Sequence, residues 1–427
     1  MKLWQKGATA HEKVDVFTVG KDRDYDLVLA QYDCEASIAH AQMLSKIGLL
    51  SQIEADQLCA VLTDLKKQAI EGRFSIDEEF EDMHSKIEHE LTKQLGDIGK
   101  KIHTARSRND QVLVALHLYL KHEIKELKNQ IITLFDTLMV LAEKHQSDLL
   151  PGYTHLQVAM PSSVGLWLSA YAEILIDDLF FLEAAQKIAD QNPLGSAAGY
   201  GSAFPIDRAF TTKLMNFKDL KVNAVAAQIS RGKLEKSTAM ALASIGSSLA
   251  KLSMDICLYM GQDFNFISFP DDLTTGSSIM PHKKNPDVFE LIRGKGNLLQ
   301  ALPNQLAMLT TNLPSGYHRE LQLTKGPIIE AIQEVKACID LLLFSLPKLK
   351  VTPNITDQKK YDSLFSVDTL NASVLNGKPF REAYRELGKA IEEGDYIPNR
   401  NVQHTHIGSI GNLRLDLIRD KIKPLRE

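Results

Sequence analysis

From Ser107 the chain runs for about forty residues without a glycine or a proline, "SRNDQVLVALHLYLKHEIKELKNQIITLFDTLMVLAEKHQ". Apolar side chains recur at Leu113, Leu116, Leu120, Ile124, Leu127, Ile131, Leu134, Leu138 and Leu141. The steps between them alternate largely between three and four, the period of a helix packed almost parallel against its neighbours. At 1.5 Å per residue such a helix is roughly 60 Å long. That exceeds the diameter of a typical domain and predicts partners beyond the chain itself. Four further helical runs follow, over about 162–190, 223–260, 286–313 and 325–346, and Pro161, Pro286 and Pro327 stand where runs begin. Proline is tolerated there because its missing N–H has no helical partner at a first turn. Five long helices with hardly any alternating pattern predict an all-α fold built on a central helical bundle.

The flanks differ in character. Residues 1–106 mix shorter helical patterns with loops; one run opens on Ser51 and Glu54 in capping-box spacing and stops at Gly72. After Pro347 the chain turns polar and yields one clear helix, "KPFREAYRELGKAIEEG", from Pro379 towards Gly394. Three segments are therefore expected: an N-terminal, mostly helical domain (1–106), the long-helix bundle (107–347) and a small C-terminal helical domain (348–427).

Composition narrows the functional classes. With 427 residues and a net charge of −5 the chain carries no basic field for nucleic acid or anionic membrane. Its sparse lysine pairs agree. No run is read as an apolar membrane span, and "MKLWQKGATAHEK" has no apolar h-region, so a cytoplasmic protein is expected. Four scattered cysteines form no CxxC pair and read as reduced, buried thiols. No histidine spacing suggests a metal site, "HTH" at 404–406 reads as an exposed pair, and no cofactor is expected.

Polar, motif-like segments fall at the joints between the long helices: "IHTARSRNDQ" (102–111), "PGYTHLQVAMP" (151–161), "NPLGSAAGYGS" (192–202) and "TGSSIMPHKKNPDVFE" (275–290). A bundle brings such joints together at its ends. In the last of them, Gly276 and two serines make a loop whose backbone N–H groups can approach an anion. Lys283 and Asn285 add a cation and an amide, and Glu290 follows one helical turn later. Hydroxyl, ammonium and amide converging on oxygen charge is what stabilises an oxyanion or enolate. Read as structure alone, the same segment is a solvated turn before a helix. In the first joint, Ser107 or Asn109 caps a helix with Asp110 in its first turn, while Arg106 and Arg108 have the fork geometry to grip carboxylates. His155, on the second joint, becomes a catalyst only if a carboxylate such as Glu290 orients its ring.

These segments resemble the fumarase/aspartase superfamily of lyases, through "GSSIMPHKKNP", and within it the argininosuccinate lyase family. The narrower likeness rests on "HTARSRNDQV", "GYTHLQ", "PLGSAAG", "PFREAYRELGKAI" and the N-terminal "KLWQKG". The resemblance implies a three-domain, all-α lyase whose long helices assemble into a tetrameric core, with each site drawing loops from three subunits. It implies cleavage of argininosuccinate to arginine and fumarate, the last step of arginine biosynthesis. His155 and Ser277 match the proton-transfer residues, Glu290 the carboxylate paired with the histidine, and Lys283 and Asn285 the groups on the succinyl carboxylate. Ser37, Asn109, Thr154, Tyr317, Gln322 and Lys325 match substrate-binding positions, with Ser107 and Arg108 in the same motif. Which of Ser277 and His155 is the base stays open. The chain departs from the family at Ala105, usually glycine, at Met160, commonly glutamine, and at Leu323-Thr324, usually an acidic pair. Another fumarate-releasing lyase and a non-catalytic, crystallin-like role are the alternatives.

Overall fold

The structure, a computed structural model, describes residues 11–402 and 404–426; the "KLWQKG" segment lies outside them. It is mostly helical. The principal helices are α1 (Asp22–Lys46), α2 (Gln52–Ile70), α3 (Met83–Leu95), α4 (Arg108–Lys144), α5 (Val164–Ala189), α6 (Lys233–Met260), α7 (Asp287–Leu299), α8 (Leu302–Leu309), α9 (Lys325–Ser345), α10 (Ser366–Leu375), α11 (Phe380–Glu393) and α12 (Leu415–Ile422).

The apolar stripe predicted for α4 is the buried stripe. Leu113 to Leu138 of the series are 0–1% exposed and Leu141 is 5% exposed. Each such side chain contributes about 1.5–3 kcal/mol by leaving water, so packing of this stripe against its neighbours holds the helix. The run expected over 286–313 is broken after Leu299. Pro303 has no N–H to donate and crowds the carbonyl four residues earlier, so the helix restarts as α8 with Pro303 in its first turn. The run expected over 223–260 is also interrupted, between Ile229 and Lys233, where Gly232 has a φ of +84°. By composition Ala224–Met260 is long and apolar enough to cross a membrane, which the sequence reading did not anticipate. However, 56% of its apolar window is buried inside the protein, as in a core helix.

The chain forms two compact units. One takes the chain up to Lys128, Phe181–Ser244 and Leu298–Glu334; the other takes Asn129–Phe180, Ile245–Asn297 and Val335 onward. In the first unit α1 and α2 pack along their lengths. They bury Leu29, Met43 and Leu44 against Leu58, Leu62 and Leu65. Ser51 and Glu54 make the predicted capping box at the start of α2. The second unit has an aromatic core in which Phe266 meets Tyr259, Phe264 and Tyr361 at 5.3, 5.5 and 6.1 Å between ring centres. It also contains a two-stranded hairpin, β1 (Leu149–Thr154) and β2 (Gln157–Ser163). In the sequence this segment reads only as a polar joint, because Pro151, Gly152 and Pro161 mask the strand pattern.

Two smaller expectations change. His404 is not an exposed histidine: its Nε2 lies 2.7 Å from Asp368 and its Nδ1 2.7 Å from Ser409, which ties the C-terminal segment to α10. None of the four cysteines is in a disulfide, but only Cys34 and Cys338 are buried.

Candidate active site

In the first unit the site is built on the start of α4. Ser107 caps the helix, its Oγ accepting the Asn109 N–H at 3.3 Å while Asp110 accepts the Ser107 N–H at 3.0 Å. The aspartate at the third position thus makes the return half of a capping box, while the serine holds the second N–H of the helix. The other oxygen of Asp110 accepts the N–H groups of Gly195 and Ala197 at 3.1 and 3.0 Å. One buried carboxylate thus fastens two of the polar joints, 102–111 and 192–202, to each other. Ala105 has a φ of +61°, in the left-handed region that glycine occupies without steric cost. That explains the glycine in the resembled family.

The two arginines of this joint are engaged within the chain. Arg106 turns inward, donating to Ser37 Oγ at 2.8 Å, and both residues are buried. Arg108 lies 3.1 Å from Glu81 and 3.0 Å from Asp82 and donates to Ser85 Oγ at 2.7 Å. Beside it is a cavity of about 120 Å³ whose lining includes Arg108, Asn109, Tyr317, Gln322 and Lys325. Five residues singled out in the sequence therefore meet there. Lys325 is 2.7 Å from both Asp22 and Asp26. Burial works against its ammonium, but the two carboxylates outweigh this and hold its pKa above the ordinary value. Gly326 allows this contact: a Cβ there would meet the Tyr25 ring at 2.6 Å, and Tyr25 itself donates to Glu330 at 2.7 Å. Gln322 donates to the Thr18 carbonyl at 3.0 Å.

The second unit holds the remaining residues. Thr275 and Asn285 exchange backbone hydrogen bonds of 3.2 and 2.8 Å. The residues between them form a closed surface loop of the kind that often carries function. Ser277 sits inside it, its Oγ accepting the Met280 N–H at 3.1 Å. Lys283, Asn285 and Glu290 line an open cleft of about 630 Å³ together with Met260, Gly261 and His282. Lys284 pairs with Asp271, whereas the exposed Lys283 has no carboxylate partner among the described residues. A Cβ on Gly276 would meet nothing within 4 Å, so no contact inside the chain demands glycine there.

His155 and Leu156 form the tip of the β1–β2 hairpin with φ of +54° and +57°. A two-residue turn of this hand needs both values positive. The imidazole and neighbouring Thr154 are exposed. The base of the hairpin is held by Tyr153, which packs on Phe264 at 5.3 Å and donates to Tyr361 Oη at 3.3 Å. Among the described residues His155 has no hydrogen bond to Glu290 or Ser277, so the expected pairing is not made within one chain.

Sequence reasoning overlooked Asp22, Asp26, Glu81, Asp82, His84 and Arg231, all of which line the charged cavity. A usable signal existed for Arg231. "ISRGK" is a polar, glycine-bearing joint, hidden when 223–260 is read as one helix.

Comparison with known proteins supplies the class first. The profile of a family described as Lyase matches residues 10–299. The fold is shared with a variant of EDDS lyase with bound fumarate (TM-score 0.73, 22% identity, 98% of this chain and 81% of that one). It is also shared with a fumarate lyase/delta crystallin from Brucella melitensis (TM-score 0.74, 16% identity, 94% and 91%). The chain is a lyase with the all-α fold of the fumarate lyases.

The relatives in sequence are narrower. Argininosuccinate lyase from Parabacteroides distasonis is 52% identical over 412 residues, covering 96% of this chain and 92% of its own. That from Thermotoga neapolitana is 40% identical over 388 residues, covering 91% and 98%. The chain belongs to the argininosuccinate lyase family.

Proposed function

We propose that this chain cleaves argininosuccinate reversibly to L-arginine and fumarate, as a homotetramer whose sites are completed by neighbouring subunits. The observation that supports the shared-site reading lies in the second unit, where His155 and Glu290 have no hydrogen bond to each other among the described residues. Arg108, Asn109, Tyr317, Gln322 and Lys325 line one charged cavity, while Lys283, Asn285 and Glu290 line an open cleft and His155 stands on an exposed hairpin. Large apolar side chains left in water on the long helices, among them Val140, Phe180, Met254, Leu291 and Phe344, support burial against other copies.

In the proposed reaction a base removes a proton from the carbon beside a succinyl carboxylate. The electron pair is held as a dianionic carboxylate; Lys283, Asn285 and loop N–H groups stabilise it. The pair then forms the carbon–carbon double bond as the carbon–nitrogen bond breaks, and an acid protonates the departing guanidine nitrogen. His155, with Glu290 of another subunit, handles one proton and Ser277 the other. The expected setting is arginine biosynthesis in the cytoplasm.

The test is release of fumarate, followed by its ultraviolet absorbance, from argininosuccinate by the purified protein. Release from aspartate, malate or adenylosuccinate but not from argininosuccinate would move the assignment to another lyase. No release from any of the four substrates would favour a structural role.

A further inference from the structure

A carboxylate inside the first unit has no hydrogen bond to account for it. Asp33 on α1 is fully buried, and neither of its oxygens has a hydrogen-bond partner among the described residues. An ionised carboxylate in such a place is strongly disfavoured unless cations stand close. Two do. His84 Nδ1 lies 3.1 Å from Asp33, near enough for an ion pair but off the line of a hydrogen bond, and Arg106 Nη2 lies 3.9 Å away. All three side chains are 5% exposed or less. Arg106 also faces a second fully buried carboxylate, Asp110, so its single charge is divided between two acids. The cation left for Asp33 is His84. A neutral acid beside a neutral imidazole is the alternative, and it would draw its stability from an aligned hydrogen bond that this pair does not make.

The other groups around His84 are mostly acidic. Asp26 on α1 accepts the N–H of the preceding residue, Met83, at 3.1 Å, and Asp82 caps α3 by accepting the Ser85 N–H at 2.8 Å. Burial works against a charge on His84, but Asp33, Asp82 and Asp26 outweigh it and hold the pKa above the ordinary value. The opposing neighbour is His103, whose own pKa is pushed down by burial and by Arg106, Arg108 and His84.

The turn that carries His84 also carries Arg108. Asp82 lies 3.0 Å from Arg108 Nη1, and Ser85 Oγ accepts from Arg108 Nη2 at 2.7 Å while donating to Asp82 at 2.7 Å. Burial would raise the pKa of Asp82; His84 and then Arg108 outweigh it and keep that carboxyl below its usual value. His84 is thus tied to Asp33 on one side and to the mount of Arg108 on the other.

We propose that His84 works as a cation pinned by Asp33, a positioning residue that fixes the first turn of α3 and, through Asp82 and Ser85, the guanidinium of Arg108. The inference rests on the proposed reaction only for what Arg108 grips; the ion pair stands without it.

The experiment is a cycle of Asp33→Asn, His84→Gln and the double variant in the full-length protein. Each single change strands a charge, so each should lower the urea unfolding midpoint. The double variant should lose clearly less than the two losses added. In the fumarate-release assay, KM for argininosuccinate should rise roughly 10-fold or more in His84→Gln while kcat changes less than about threefold, since a binding group has moved and the proton-transfer groups have not. The sign with pH follows from the charge. The cation is present below the pKa of the folded histidine and lost above it, so the wild-type KM should rise on the alkaline side of about pH 6.5, the ordinary imidazole value. His84→Gln should lack that rise. If His84→Gln fails to fold by circular dichroism, Asp33→Asn serves instead, because a histidine without its carboxylate sheds its proton more readily. The rise should then move to lower pH. Additive losses in the cycle, a rise that His84→Gln keeps, or one that Asp33→Asn leaves in place overturns the inference. Should the wild type release no fumarate from argininosuccinate, the proposed reaction falls, and the unfolding cycle still decides whether Asp33 pins a cation.

Discussion

Asp110→Asn keeps the shape of the side chain and removes its charge. In the native protein Asp110 is fully buried and accepts three backbone N–H groups, from Ser107, Gly195 and Ala197. Asparagine has one acceptor oxygen. Turned towards Gly195 and Ala197, it leaves its NH₂ facing the Ser107 N–H, so one charge-assisted bond is lost and one donor is stranded. Turned the other way it loses two bonds. A charged hydrogen bond contributes about 1.5–3 kcal/mol and a stranded buried donor costs about 1–3 kcal/mol. Against this stands the burial of the carboxylate, which outweighs Arg106 and the three N–H bonds and holds the Asp110 pKa above its usual value. Removing the charge therefore recovers part of the loss. A net destabilisation of about 2–4 kcal/mol is expected, measured by urea unfolding at neutral pH with circular dichroism. Proteolysis should open first within residues 193–201, the loop that Asp110 fastens. A change below about 0.5 kcal/mol, the size of an ordinary surface substitution, or a large change with the loop still protected, would refute the reasoning.

Three further outcomes follow from other parts of the structure. Ser277→Ala and His155→Asn should each lower turnover by about two orders of magnitude or more, as expected for removal of a general acid or base, without unfolding the protein. Refolded together, the two inactive variants should regain measurable fumarate release, and none would be regained if each chain carried a whole site. His117 is fully buried with its Nδ1–H donating to the Ala189 carbonyl at 2.8 Å, and burial drives its pKa down to about 4. Its depressed value means that the unfolded chain takes up a proton near pH 6.5 and the native protein does not. Stability should accordingly fall by about 3 kcal/mol between pH 6.5 and 4, and a stability–pH curve of His117→Asn should lack that fall. Ala105→Gly should raise the unfolding free energy by about 0.5–1 kcal/mol, since relief of the left-handed strain exceeds the added chain entropy; a drop in stability would remove strain as the account of that position.

The hydrophobic period of α4 determined that helix and its buried face, because a stripe at 3.5-residue spacing can leave water only as one side of a packed helix. The joint motifs were legible for a similar reason: small, charged and amide residues without a period cannot form a core. Other features depend on atoms distant in sequence. The hairpin under His155 needs Tyr153 seated among Phe264, Phe266 and Tyr361, which no local pattern around Pro151 and Gly152 announces. At the break beside Arg231, Gly232 approaches Thr310 so closely that a Cβ would not fit. The pairing of Lys325 with Asp22 and Asp26 spans about three hundred positions. Sequence by itself determined the class and the buried face of the longest helix, since these are encoded in spacing and side-chain type. Only the tertiary structure decided which charges neutralise one another, because a charge acts according to its distance and burial, and neither is a property of the sequence order.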